Sequence, residues 1–383
     1  MIDTKILEKL NAATAKERLA NLREAVKTAD FPEVTPVYIN NHIHTTFSFS
    51  PYSPTAAVFA ARAEGLSTAG IVDHDSIAGA REFIEAGKIA DIPTTVGMEC
   101  RVKMTGTTLT DRRTNNPDQA GVSYMTLQGV PHGNIEKLDA FFAPLREHRN
   151  TRNRRMTANI NDLLAPHGIT LDFDRDVLPL SQYAYGGSVT ERHLMLALAR
   201  KLIADTATVA DTLERIGVTL TEKQKTKLAD TSDPFFEYTV LGILKSAFVK
   251  KIFIPAADEC PDLADVVKLA ADCGAILCYA YLGDVTDSIT GDKAAQKFED
   301  DYLDELFAEL YRMGVRAITY MPTRNTRDQL LRVRSLCDKF GMMQVSGEDI
   351  NSPTQSFVIR AMEDPLFANL VDSTWKLIEN EKA

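Results

Sequence analysis

Short apolar runs alternate with amphipathic stretches along this chain, and the alternation predicts its elements. Residues 5–28 set Ile6, Leu10, Leu19, Leu22 and Val26 near one helical face, which predicts a single amphipathic helix packed outside the first strand. "TPVYINNHIH" (35–44) reads as a strand that ends in two histidines. In the next stretch Ser53 suits a helix N-cap, Pro54 the first helical position and Gly65 the stop. "STAGIVDHD" (67–75) is an apolar strand with a polar end, "SIAGAREFIEAGKIAD" (76–91) a helix, and "IPTTVGMECRV" (92–102) a third strand with Glu99 near its end. Strand, helix, strand, helix, strand predicts a parallel sheet, and in a β/α barrel the C-terminal strand ends line the active face.

From about 136 to 250 long helical periodicities take over, and a mainly helical insertion is expected there. The alternation then resumes: a strand at 273–284, a helix at 293–314 stopped by Gly314, a strand at 315–322, a helix at 326–341 stopped by Gly341, and a strand with its exit loop at 342–353. The chain divides on this reading into a helical extension (1–36), a first barrel segment (37–135), the insertion (136–250) and a second barrel segment (251–383). It shows no internal repeat and no low-complexity tract.

Composition narrows the class. A length of 383 residues fits one barrel with insertions, and 44% hydrophobic with 25% charged residues fits a soluble globular protein with a sizeable core. A net charge of −10 argues against a nucleic-acid polymer or a membrane surface as partner. No apolar run is long enough to span a bilayer, and the N-terminus lacks the apolar core and cleavage site of a signal peptide. The five cysteines are odd in number and form no C-x-x-C, as expected of reduced thiols in a cytoplasmic protein.

The chemistry gathers at the strand ends. Imidazoles two residues apart on a strand point to one side, so His42 and His44 can grip one ion. "VDHD" (72–75), "GME" (97–99) and "GED" (347–349) end three other strands. Charged groups at several strand ends are hard to attribute to packing, because buried charges cost several kcal/mol unless paired or metal-bound. A metal site is therefore expected.

The order H-x-H, S-P before a helix, "IVDHDSIAG", "GMEC", a late "RH" and a final "SGED" resembles the PHP family, named for its polymerase and histidinol phosphatase members. The resemblance covers about 38–353 and is most specific over 40–99. It implies an α/β fold, a distorted seven-stranded TIM-like (β/α) barrel, and metal-dependent hydrolysis of phosphate esters, often with three ions. Carried over by position, it implies His42, His44, Glu99 and Asp349 as metal ligands, His74 and its neighbour Asp73 as further site residues, and His193 as a histidine brought in by the insertion. Other expected donors are replaced: Phe49 and Ser50 follow the H-x-H, Thr126 stands on the next strand, Tyr281 replaces a histidine, and Asn351 ends the last motif. The expectation is one divalent ion per chain, Zn, Mn or Fe.

Asp73 is expected to orient His74 by a hydrogen bond, with His74 or His193 protonating the leaving oxygen. Gly187 and Ser188, at an expected helix start, and Arg192 would bind an anion. His132 is weighed as a substitute ligand or an exposed loop residue. The stripe Arg146, Arg149, Arg152, Arg155 reads as a solvated face, and Tyr183 and Tyr185 as packing residues. The expected activity is hydrolysis of a small phosphorylated metabolite or nucleotide. The alternatives are an amidohydrolase-like enzyme or a non-catalytic relative that binds a phosphorylated ligand.

Overall fold

The computed structural model describes residues 3–205, 208–285 and 297–383. Seven strands form one sheet in chain order: β1 (Thr35–Ile43), β2 (Leu66–His74), β3 (Thr94–Lys103), β4 (Val122–Gln128), β5 (Ile276–Ala280), β6 (Ala317–Tyr320) and β7 (Met343–Ser346). The sheet is an α/β, TIM-like barrel, nearly closed. Closure comes from a parallel bridge between Ile43 and Ile350, with His44 N–H on Ile350 O at 2.9 Å and Ile350 N–H on His42 O at 3.1 Å.

The sheet is mixed, where the alternation predicts a parallel one. β4 runs antiparallel to both β3 and β5. Residues 104–121 contain no helix to carry the chain back across the barrel, so β4 returns directly beside β3. Gly97 sits where these strands approach closely: a Cβ there would lie 2.3 Å from Leu127 O.

The single N-terminal helix expected over 5–28 is two helices, α1 (Thr4–Leu10) and α2 (Ala15–Thr28). Thr14 breaks it by starting α2 with a capping box to Glu17. The Asn11 side chain meanwhile bonds Pro51 O and Ser53 N, both at 2.8 Å. Arg18 joins α2 to the barrel through a buried 2.6 Å pair with Glu82. Glu82 lies on α4 (Ala80–Ala90), which follows α3 (Pro54–Ala63). Ser53 caps α3 as expected, accepting from Ala56 N.

The expected insertion region holds α5 (Ile135–Leu164), α6 (Glu191–Asp205), α7 (Val209–Arg215), α8 (Glu222–Ala229) and α9 (Phe236–Ile252). Its side chains from Met156 to Ile252, together with Phe49, form an apolar core apart from the main one. The remaining helices are α10 (Leu263–Cys273), α11 (Leu303–Met313), α12 (Arg327–Phe340) and α13 (Ala368–Asn380). The helix expected over 293–314 is the shorter α11, and the first four residues of that span lie outside the described residues. α13 crosses the base of the barrel: Thr374 accepts from Asn41 Nδ2 at 2.7 Å, and Glu381 beyond it accepts from Val96 N at 2.7 Å. All five cysteines are buried and unpaired. No described helix is long and apolar enough to cross a membrane.

Candidate metal centre

The β1 pleat puts His42 and His44 on one side of the strand, and the Ile43–Ile350 bridge delivers Asp349 to them. His44 Nε2 lies 3.3 Å from Asp349 Oδ1 and 3.9 Å from Glu99 Oε2. His42 Nε2 lies 3.8 Å from Glu99 Oε2, and His74 Nδ1 is closer, at 2.9 Å. Donor atoms of His42, His44 and Asp349 fall within 4.8 Å of one another, as do those of His44, His74 and Glu99. One four-residue shell is thus replaced by two overlapping triads that share His44. The His74 ring also stacks on His44, with centroids 4.6 Å apart.

These residues fit a divalent ion. His44 Nε2 is buried and makes no hydrogen bond, while its Nδ1 sits 3.2 Å from Ser48 Oγ. A buried nitrogen left open between two carboxylates, with its ring held from the far side, is the arrangement of a ligating imidazole. The carboxyls are poised as anions. Burial raises Glu99, but His74 and His42 outweigh it and hold the group below the usual carboxylate range. Loss of surrounding water likewise raises Asp349, and His44, His42 and Arg192 outweigh that.

Asp73 does not orient His74. Its carboxylate accepts from Thr45 N at 2.7 Å, Thr45 Oγ1 at 2.6 Å and Ser48 Oγ at 2.5 Å. Strand alternation explains the correction: neighbours on β2 point to opposite sides. Asp73 therefore supports His44 through Ser48, a link that sequence spacing does not reveal.

Other side chains, two of them bonded within the protein, occupy the replaced positions. Thr126 faces Glu99 across the β3–β4 pair. Tyr281 is buried and donates to Asp300 at 2.6 Å. Phe49 meets the edge of His193 at 5.0 Å, and Asn351 Nδ2 donates to Asp349 Oδ1 at 2.6 Å. His132 is no substitute ligand, because it pairs with Glu381 at the base, Nε2 to Oε2 at 3.2 Å.

On the insertion side, His193 is buried and its Nδ1 accepts from Thr190 N at 3.0 Å, leaving the ring proton on Nε2. Burial and the nearby Arg149 pull its pKa down to about 3, so the ring is neutral. The expected amide cradle is already used. Gly187 N donates to Gln182 O at 2.9 Å, Ser188 N to Phe47 O at 2.7 Å, and the helix starts only at Glu191. The Ser188 hydroxyl is buried and unbonded. Arg192 lies over the Phe49 ring, 5.8 Å from its centroid, and its charge reaches Asp349.

The arginine stripe of α5 is buried except for Arg155. Arg149 pairs with Asp75 at 2.5 Å and Glu191 at 3.0 Å. Arg152 pairs with Glu191 at 2.5 Å and Glu259 at 2.6 Å, and Arg101 with Glu259 at 2.7 Å. The acidic partners come from distant segments, so the stripe alone reads as a solvated face. Tyr183 donates to Glu147, and Tyr185 is exposed.

A nearly closed α/β barrel brings imidazoles and carboxylates together at its mouth in a set that could hold a metal ion. Residues 40–236, just over half of the chain, match the PHP domain, and the chain belongs to that family. None of the curated proteins matches it. A solved structure from Bifidobacterium adolescentis, named "a putative metal-dependent phosphoesterase", is 18% identical with a TM-score of 0.54, covering 89% of this chain and 98% of the other. An amidohydrolase from Chromobacterium violaceum, solved with sulfate and no metal, is 18% identical with a TM-score of 0.54, covering 83% of this chain and 89% of the other.

Proposed function

We propose that this chain is a metal-dependent hydrolase that cleaves a phosphate ester of a small metabolite or nucleotide, with one divalent ion per chain. The observation that carries this reading is His44 Nε2, buried and unbonded between the carboxylates of Asp349 and Glu99. His42, His44 and Asp349 hold the ion, with Glu99 beside them. When bound, the ion supplies Lewis-acid activation of water and of a phosphoryl oxygen.

The chain's own residues do the rest. Asp73, through Ser48, keeps His44 turned toward the ion. His74 is the part-exposed imidazole of the cluster, its Nδ1 engaged by Glu99, and it handles the leaving-group proton. Neutral His193 donates from Nε2 to a phosphoryl oxygen. Arg192 adds positive charge at the rim.

The test is a metal count on purified protein, followed by a panel of phosphate monoesters with Zn, Mn or Fe supplied. One ion per chain and ester turnover that His44→Ala abolishes are the expected results. Three ions per chain would overturn the single-ion reading. Turnover of amides instead of esters would overturn the phosphoesterase reading.

A further inference from the structure

Tyr124 stands on β4, two residues before Thr126 and on the same face of the strand. The register sets Thr126 opposite Glu99 and Tyr124 opposite Arg101, one step further toward the mouth. The Tyr124 ring lies beside that of His74, with centroids 6.0 Å apart and planes inclined by 52°. Its backbone is clamped by Asn115, whose Oδ1 accepts from Tyr124 N and whose Nδ2 donates to Tyr124 O, both at 2.8 Å. Asn115 is itself tied to β5: Nδ2 also donates to Ala280 O at 2.6 Å, and its backbone N–H donates to the Tyr279 hydroxyl at 3.1 Å.

The hydroxyl on this fixed ring is unused. Among the described residues it makes no hydrogen bond, and the side chain is part-exposed at the mouth, not sealed inside the wall. A tyrosine set this far into a protein normally finds a partner for its O–H. The charged groups around it are already engaged. Glu99 Oε2 faces His74 Nδ1 at 2.9 Å, Glu191 is held by Arg149 and Arg152, and Arg101 is held by Glu259. Burial pushes the phenol's pKa up against the pull of Arg101, and Glu191 and Glu99 add to the rise. The group is therefore a neutral donor with no acceptor from the chain. An anionic oxygen suits it best, because hydrogen bonds to charged acceptors are the stronger ones. His74, which handles the leaving-group proton, brings such oxygens next to this ring.

We propose that the Tyr124 hydroxyl donates a hydrogen bond to a phosphoryl oxygen of the substrate, on the β4 side of the His42–His44–Asp349 cluster. The assignment rests on the phosphoesterase reading above and adds a phosphoryl-binding group from the barrel wall. Arg192 and His193 approach from the insertion, and Tyr124 approaches from the opposite strand.

The experiment is calorimetric titration of inorganic phosphate into the metal-loaded full chain, with metal content measured on the same samples. Tyr124→Phe keeps the ring and its packing against His74 and removes only the O–H. It is expected to weaken phosphate binding about tenfold or more at unchanged metal content. A role confined to packing would leave the affinity at the wild-type value, and that result overturns the proposal. If the phenylalanine variant fails to fold, ortho-fluorotyrosine placed at position 124 of the otherwise native chain decides the matter. A fluorine resonance that shifts when phosphate is added supports the site, and one that stays put overturns it. The proposal also fails if Tyr124→Phe loses metal in step with phosphate, or if wild type binds no phosphate. Phosphate binding that depends on Tyr124 without turnover of any ester would sink the catalytic reading alone. Ester turnover with phosphate binding indifferent to Tyr124 would sink this site alone.

Discussion

At the scale of the residue, the centre depends on what holds His44. Asp73 carries the most of that support, since its carboxylate gathers Thr45 and Ser48 behind the ring. Asp73→Asn should keep the fold and weaken metal binding by about 10- to 100-fold, the usual effect of removing an outer-shell carboxylate. Chelator competition on both proteins measures this, and equal affinities would reduce Asp73 to an anchor of the turn. Glu299 offers a separate test. Burial raises its pKa from 4.5 to about 7, against the pull of the Leu282 and Gly283 amides. A carboxyl raised on folding binds its proton more tightly in the native state. Its contribution is therefore fully present below pH 4.5 and is lost as pH rises toward about 7. Glu299→Gln keeps the acceptor and lacks the charge, so its stability relative to wild type should improve across that window by about 1–3 kcal/mol. Denaturant melts at the two ends of the window would show it, and a constant difference would count against the assignment.

At the scale of the element, α5 joins the insertion to the barrel through charge. Arg152 faces Glu191 on α6 and Glu259 before α10, and Glu259 also meets Arg101 on β3. Removing Arg152 takes one cation from each of two buried carboxylates, leaving Glu191 with Arg149 and Glu259 with Arg101. Arg152→Ala should cost about 3–5 kcal/mol in chemical denaturation. A loss below about 1 kcal/mol would mean that the network is as weakly coupled as a surface pair.

At the scale of the whole molecule, the barrel is completed at both ends by late parts of the chain. The Ile43–Ile350 bridge closes the mouth, and α13 covers the base. Leu377 of α13 is fully buried, packed close to Gly129 just beyond β4. Leu377→Ala should cost about 2–5 kcal/mol, as core truncations do, while leaving the metal content of the folded protein unchanged. Thermal melts with elemental analysis test both halves of that statement. Loss of metal without loss of stability would mean that the base and the mouth are coupled in a way the packing does not explain.

Local rules made much of this protein legible from its sequence. The Ser53–Pro54 helix start, the glycine stops after α11 and α12, and the strand-borne His42–His44 pair depend on neighbours a few residues away, and they stand as read. The mixed sheet, the direction of Asp73 and the burial of Arg149 and Arg152 depended on partners far along the chain, while the break at Thr14 is a local capping box to Glu17 that the apolar periodicity masks. Periodicity reports which face of an element is apolar. It does not report which carboxylate meets which guanidinium, nor that Asp349 closes on His44 through a single bridge at Ile350. Those pairings are long-range contacts between charged and polar groups, and only the closed barrel brings them within hydrogen-bond reach.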